Sequence, residues 1–301
     1  MTQPQPRIAA RHPLLYVERC AIRRDDSGIV AHHEDGDELL PVGRVIALLI
    51  GPGVTVSREA ISHITASGCA VAFTQRHGHR LLAVANPGDR SSANLLQQAR
   101  LWASPRSRMA VARRMFRLRF GDDVPPNANM RRLRGLEGGR VKAAYREHAR
   151  RTGVTWKGRV YGPEAEPDTV NLVLSTLNAA LYAVTHAVVL GLGLSPAIGF
   201  IHTGNHLSFV HDVADLYKTD ITIPAAFDLA AEEPESPRRL ARERAGELFD
   251  GLPGRMVKDV LEILELHGVG AIPTGLWDPA EGVVPAGTNY GQDDPRDEPE
   301  R

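Results

Sequence analysis

The stretch GFIHTGNHLSFVHDVADLYK, residues 199–218, gathers three histidines and two aspartates in a chain with only 12 histidines among 301 residues. Imidazoles and carboxylates are the side chains that bind metal ions and move protons near neutral pH. His202 follows the strand-like AIGFI and precedes Thr203 and Gly204, which predicts a turn at that point. From His206 onward, Val210, Val213, Ala214 and Tyr217 recur at i, i+3, i+4 and i+7, the apolar face of a helix. Asp212 and Asp215 then lie on the side away from that face, close enough to share a cation toward which the turn could bring His202. One imidazole with carboxylates and no thiolate nearby favours a hard octahedral ion, Mg²⁺ or Mn²⁺. A zinc site through His202, His206 and His211, or an ordinary solvated helix start, are other readings of the same residues.

A third acid strengthens the hard-metal reading. In RRLRGLEGGRVK, Glu137 stands between Gly135 on one side and Gly138 and Gly139 on the other, with basic residues flanking it that would hold a phosphate, Arg134 and Arg140 among them. An isolated acid would repel that phosphate unless a cation sat between them, so a bridging metal gives it a purpose. An ion pair of Glu137 with Arg134 or Arg140 along the helix is the plain alternative.

These residues need elements to hold them, and the charge distribution shows where a partner would bind. Net charge is zero, yet residues 101–160 hold 16 Lys and Arg against 4 acids, a net of +12, which leaves −12 elsewhere. Most of these cations fall in SRMAVARRMFRLRF and RRLRGLEGGRVKAAYREHARR, both helix-like and rich in arginine, the side chain suited to phosphate oxygens. Surface charge runs normally intersperse acids, which are scarce here, so nucleic acid is the expected partner.

Residues 169–211 contain no Asp, Glu, Lys or Arg, a run longer than a bilayer span. Asn171, Ser175, Asn178, Tyr182 and Thr185 nevertheless recur at helical steps and draw one polar stripe, which lipid would not tolerate unpartnered. A buried helix with one face toward a polar site is expected, not a membrane span. The N-terminus carries no long apolar run, and the two cysteines, Cys20 and Cys69, are too few for a disulfide framework, so a cytoplasmic protein is expected.

The period changes along the chain. From Leu14 to about Val84, short β-rich runs (LLYVERCAI, RVIALLIG, CAVAFT, RLLAVA) are separated by DDSG, EDGDE and GHG, with one helix, SREAISHITASG, capped by Ser57. Beyond NPGDRSS the pattern is helical, through six segments that end at RMVKDVLEILELHG. This predicts an α+β chain: residues 1–88 a β-rich domain with one helix, 89–272 an all-α catalytic domain, and 273–301 a flexible tail. That tail is Pro-rich and has 7 acids against 2 arginines from Asp278 onward.

The stretches LRGLEGGRVKAAY, GVTWKGRVY, SPAIGFIHTG and LSFVHDVADLYK, with MFRLRFG and VANPG more loosely, resemble the CRISPR-associated spacer integrase of type I-E, the large catalytic subunit of the adaptation complex. The resemblance runs from about residue 14 to 265 in order. It implies a β-sandwich-like N-terminal domain, an all-helical catalytic domain and a homodimer. It implies Glu137, His202 and Asp215 as metal ligands, Asp212 as a catalytic acidic helper, Tyr161 and Tyr182 beside the DNA, and Arg80 gripping prespacer DNA. His206 and His211 match no required histidine and are expected on the surface or toward DNA. One departure is the lack of a tryptophan in YGPEAEPD. The implied reaction joins a 3′-hydroxyl of a double-stranded prespacer to a phosphodiester at the border of a CRISPR repeat. The implied partner is a small ferredoxin-like subunit, which the tail is a candidate to contact. A repair metallonuclease with the same ligands and a non-catalytic DNA scaffold are the rival readings.

Overall fold

The computed structural model describes residues 11–75, 81–85, 92–121, 124–160 and 167–266, with the backbone of residues 275–278 and 282–285. The chain is α+β, as expected. Its first part contains β1 (His12–Val17), β2 (Ala21–Asp25), β3 (Gly28–His33), β4 (Gly36–Leu40), β5 (Val45–Ile50), β6 (Thr55–Val56), α1 (Arg58–Ala66), β7 (Ala70–Thr74) and β8 (Leu81–Ala85). Two four-stranded sheets form, one ordered β1-β5-β7-β8 and the other β4-β3-β2-β6. In the first, β1, β5 and β7 pair in parallel and β8 closes antiparallel on β7. Ser57 starts α1 by accepting from the Ala60 amide at 3.1 Å, and Gly68 ends it in the left-handed region at φ +70°.

The strand β5, VIALLI, shows why this sheet sits in the middle of the molecule. All six of its residues are buried. Leu48 and Ile50 point into a core shared with Ile22, Ile29 and Ile64 of the second sheet and α1. Ala47 and Leu49 point the other way, into a core with the helices. A strand covered on both faces needs no polar alternation, and its sequence has none. Residues 86–91, where the 88/89 border falls, lie outside the described residues, but packing crosses from one side to the other.

The helical part consists of α2 (Ala93–Ala103), α3 (Pro105–Phe120), α4 (Met130–Thr152), α5 (Thr169–Gly191), α6 (Ser208–Tyr217), α7 (Ile223–Ala231), α8 (Pro237–Leu248) and α9 (Leu252–Ile263). The apolar α5 is its axis. Long and apolar enough to cross a membrane, it is mostly buried inside the protein and packs on α6, α7, α8, α9 and β5. The polar stripe is largely satisfied within the protein. Asp168 caps the helix and bonds Asn171, Asn171 also bonds Gly158 and Arg159, and Asn178 accepts from Thr222. Two features lie outside the sequence expectation: α7, and the single π-helical turn at Lys218–Thr222 that joins it to α6. The strand expected at AIGFI is absent, and residues 195–207 form an irregular loop. In the tail, β9 (Gly275–Asp278) and β10 (Gly282–Pro285) pair antiparallel, and the remaining tail residues lie outside the described ones.

Candidate active site

The loop that presents His202 has no sheet to satisfy its backbone, so side chains do it. Gln98 donates to the carbonyls of Ser195 and Ile198, both at 3.0 Å, and accepts from the Ser195 amide at 2.8 Å. Trp102 donates to Gly199 O, Arg108 to Phe200 O and Arg134 to Ile201 O. The amides of the same turn converge on Asp212. Phe200 and Ile201 donate to Oδ2 at 2.5 and 3.0 Å, and His202 donates both its amide and Nδ1 to Oδ1 at 2.8 Å. Gly199 is needed where the turn meets α6, since a Cβ there would stand 2.4 Å from His202 O and 2.7 Å from Ser208 Cβ.

This geometry corrects the expected position of Asp212. It does not share an open face with Asp215. It is only 1% exposed and four donors occupy its two oxygens, so it acts on His202 from behind. With Nδ1–H held by that carboxylate, the tautomer is fixed and Nε2 faces outward, 4.0 Å from Asp215 Oδ2. The hydrogen bond to Asp212 raises the His202 pKa above its ordinary value, against burial and with help from the charges of Asp212, Asp215 and Glu137.

Glu137, from the middle of α4, meets Asp212 and Asp215 of α6 in one small cleft, walled by Met115, Phe116, Ile201 and Leu216. The glycines flanking Glu137 do not open the helix, which is continuous from Met130 to Thr152. Two stretches of chain more than 70 positions apart are thus brought together. Each open carboxylate already has a cation. Arg119 of α3, and not Arg134 or Arg140 of the same helix as the plain alternative had it, pairs with Glu137, and Lys218 pairs with Asp215 at 2.5 Å. Burial alone would raise the Asp215 pKa, but Lys218, then Arg119 and His202, hold it below the usual carboxylate range. Burial likewise opposes the Lys218 charge, yet Asp215 and Tyr182 outweigh it and its pKa stands above the ordinary lysine value.

Tyr182 reaches the site as the polar stripe predicts: its hydroxyl accepts from Lys218 Nζ at 2.6 Å, and its ring meets His211 edge-on at 4.9 Å. His211 also lies against His202, centroids 6.0 Å apart, so it belongs to the wall of the site. Burial, then Lys218 and His202, depress its pKa. Arg140 donates to Phe120 O and stacks over that ring, and Arg134 holds Ile201, so both bind the protein's own backbone. Arg80 and Tyr161 lie outside the described residues. Lys218 and Arg119 were missed by sequence reasoning. The spacing of Asp215 and Lys218, three apart in sequence across the end of α6, was a usable signal, whereas nothing in sequence links Arg119 to Glu137.

The donor set suits a hard divalent ion: two carboxylates and an imidazole nitrogen oriented by a buried acid, with no thiolate. Among the described residues no three such side chains yet close on one point, and each open carboxylate bears its cation instead. On the side of α4 away from Glu137, Arg131, Arg132, Lys142 and Arg146 are exposed, with only Leu133 of the whole helix fully buried.

A model of the family "CRISPR associated protein Cas1" matches residues 15–123 and 119–236 of this chain. The CRISPR-associated endonuclease Cas1 2 of Thermus thermophilus is 39% identical over 295 residues, covering 93% of this chain and 90% of its own length. The CRISPR-associated endonuclease Cas1 of Escherichia coli K12 is 40% identical over 227 residues, 75% of this chain and 72% of its own. The crystal structure of the TtCas1–DNA complex superposes with a TM-score of 0.77 at 39% identity, over 92% of this chain and 99% of that one.

Proposed function

This chain is a member of the Cas1 family of CRISPR-associated proteins, and from that premise we propose that it is a metal-dependent DNA integrase and endonuclease of CRISPR adaptation, of the type I-E kind. The observation that carries the reading is the clasp of His202 by Asp212 beside Asp215 and Glu137. The identity to the E. coli relative supports the subfamily, and the DNA-bound relative supports DNA as substrate.

Glu137, His202 Nε2 and Asp215 would hold Mg²⁺ or Mn²⁺. Once bound, such an ion stabilises charge on the phosphoryl oxygens and acidifies the attacking hydroxyl. The chain's own residues do the rest. Asp212 fixes the imidazole so that its lone pair and not its N–H faces the cleft. Partial burial of the carboxylates strengthens the charge interactions there. The basic face of α4 draws in the polyanionic duplex, and Tyr182, held by Lys218, offers a ring edge at the strand end. In the joining reaction a 3′-hydroxyl oxygen of the prespacer bonds to phosphorus while the repeat strand's own 3′-oxygen leaves and takes a proton. One phosphodiester replaces another, so no energy source is required. With water as nucleophile the same centre cuts DNA.

The active form in this reading is a homodimer in the cytoplasm, working with a small ferredoxin-like Cas subunit, and both cysteines being free and buried fits a reducing compartment. Labelled duplex with free 3′-hydroxyls, a repeat-bearing plasmid and the small subunit test it. Label should enter the plasmid with the parent protein and Mn²⁺, and not with Glu137→Ala, His202→Ala or Asp215→Ala. Cutting without joining would mark a repair nuclease, and joining by all three variants would overturn the catalytic assignment.

A further inference from the structure

Arg119 and Lys218 are placed with unusual economy. The Arg119 side chain is 7% exposed and the Lys218 side chain 19%, and each reaches one carboxylate of the cleft. They come from different elements, α3 and the end of α6, where the π-helical turn begins. Buried cations of this kind are costly to desolvate and persist only where buried anions need them. Here the open carboxylates pair one to one, Glu137 with Arg119 and Asp215 with Lys218, while four N–H donors hydrogen-bond the charged carboxylate of Asp212.

We propose that Arg119 and Lys218 are exchangeable counter-ions: they hold Glu137 and Asp215 in place until a divalent ion takes the carboxylates, and then turn their charge toward a DNA phosphate. The inference rests on the metal-dependent reading above and deepens it. Before exchange the two acids and two cations sum to zero. After a doubly charged ion enters, the same groups with the ion sum to +2, and to +1 with Asp212 counted, a potential that favours a phosphodiester in a low-dielectric cleft. Lys218 has a natural second resting place, since its ammonium already lies over the Tyr182 ring at 4.7 Å and bonds the hydroxyl. Arg119 likewise lies over the Phe120 ring at 4.7 Å. Both cations can leave a carboxylate without losing every partner. Metal and DNA binding are thereby coupled, and the coupling is reciprocal.

The test measures binding and stability of the full-length protein, using Lys218→Met and Arg119→Met, which keep length and apolar bulk. Without metal both variants should melt lower than the parent, because a buried carboxylate loses its partner. Mn²⁺ should restore much of the loss. The variants should bind Mn²⁺ more tightly than the parent, by about tenfold, within the usual range for coupled sites. The gain in affinity for duplex DNA that Mn²⁺ gives the parent should shrink in both. If Mn²⁺ binds the variants equally or more weakly, or fails to recover their stability, the exchange is refuted. Glu137→Gln serves as the control: if it retains full Mn²⁺ affinity, the failure lies with the metal assignment itself and not with the counter-ions.

Discussion

Asp212 and Asp215 lie three residues apart on one helix and do opposite work. Asp212 satisfies three backbone amides and an imidazole in a buried turn, so Asp212→Ala leaves orphaned donors and should cost on the order of 3 kcal/mol. Asp215→Ala removes a group facing the cleft and leaves Lys218 with only the Tyr182 hydroxyl and ring as partners, so it should lower urea stability by less than Asp212→Ala while joining is lost. Comparing the two denaturation midpoints checks this. His186 gives a prediction in pH. Burial, then His206, pushes it from 6.5 down to about 4, and its Nδ1 has no hydrogen-bond partner. Its folded pKa lies below the unfolded one, so the unfolded chain takes up the proton first. Stability is therefore full above pH 6.5 and falls as pH drops toward 4, by at most about 3 kcal/mol. Urea midpoints at pH 7 and pH 5 should differ in the parent, with part of the gap removed in His186→Gln. At this scale the sequence was legible in residue type and silent in direction. The acids and imidazole were identifiable, but that one aspartate turns inward to a loop follows from contacts ten or more residues distant.

Among the elements, α4 combines an exposed basic surface with three glycines in its interior. A Cβ added at Gly135, Gly138 or Gly139 would meet nothing within 4 Å, and none of the three has a positive φ. No packing within the chain requires them, so Gly138→Ala and Gly139→Ala should each raise stability by roughly 0.5–1 kcal/mol, read from the thermal midpoint. If this bare face, which carries Arg131, Arg132, Lys142 and Arg146, receives a DNA backbone, the same changes should weaken duplex binding, read by anisotropy. Helices with clear caps, such as α1 behind Ser57, were legible from sequence, as was the two-sided burial of β5 in its unbroken apolar run. AIGFI misled because its apolar residues suggest a strand, whereas its carbonyls are taken by Gln98, Trp102, Arg108 and Arg134, about 70 to 100 positions away in sequence. The π-helical turn at Lys218–Thr222 has no periodic signature in five residues.

Over the whole molecule, one sheet serves two cores. Leu48 and Leu49 are neighbours on β5, yet Leu48 packs against the second sheet and Leu49 against the helices. Leu48→Ala and Leu49→Ala should each cost about 2–5 kcal/mol. Both should lower a single shared unfolding transition, because the sheet belongs to both cores. Amide exchange across Ile22–Val30 and emission from Trp102 and Trp156 in a Trp277→Phe background should report the same midpoint. Two separate midpoints would show that the β-rich and helical parts unfold independently. The α+β order of the chain was readable from the change of period near residue 86, but the sharing of the sheet was not, since apolar runs do not say which of two faces they meet.

That shared layer also sets how the protein can change over generations. Ala47, Leu49, Ala70 and Ala72 face the helices from the sheet, so a larger side chain at any of them must be matched by a smaller one on the helical side. Variation at these positions should therefore be paired across relatives, and a chimera that exchanged the helical portion alone would inherit a mismatched seam. One that carried β1 through β8 together with the helices resting on them would keep its seam whole.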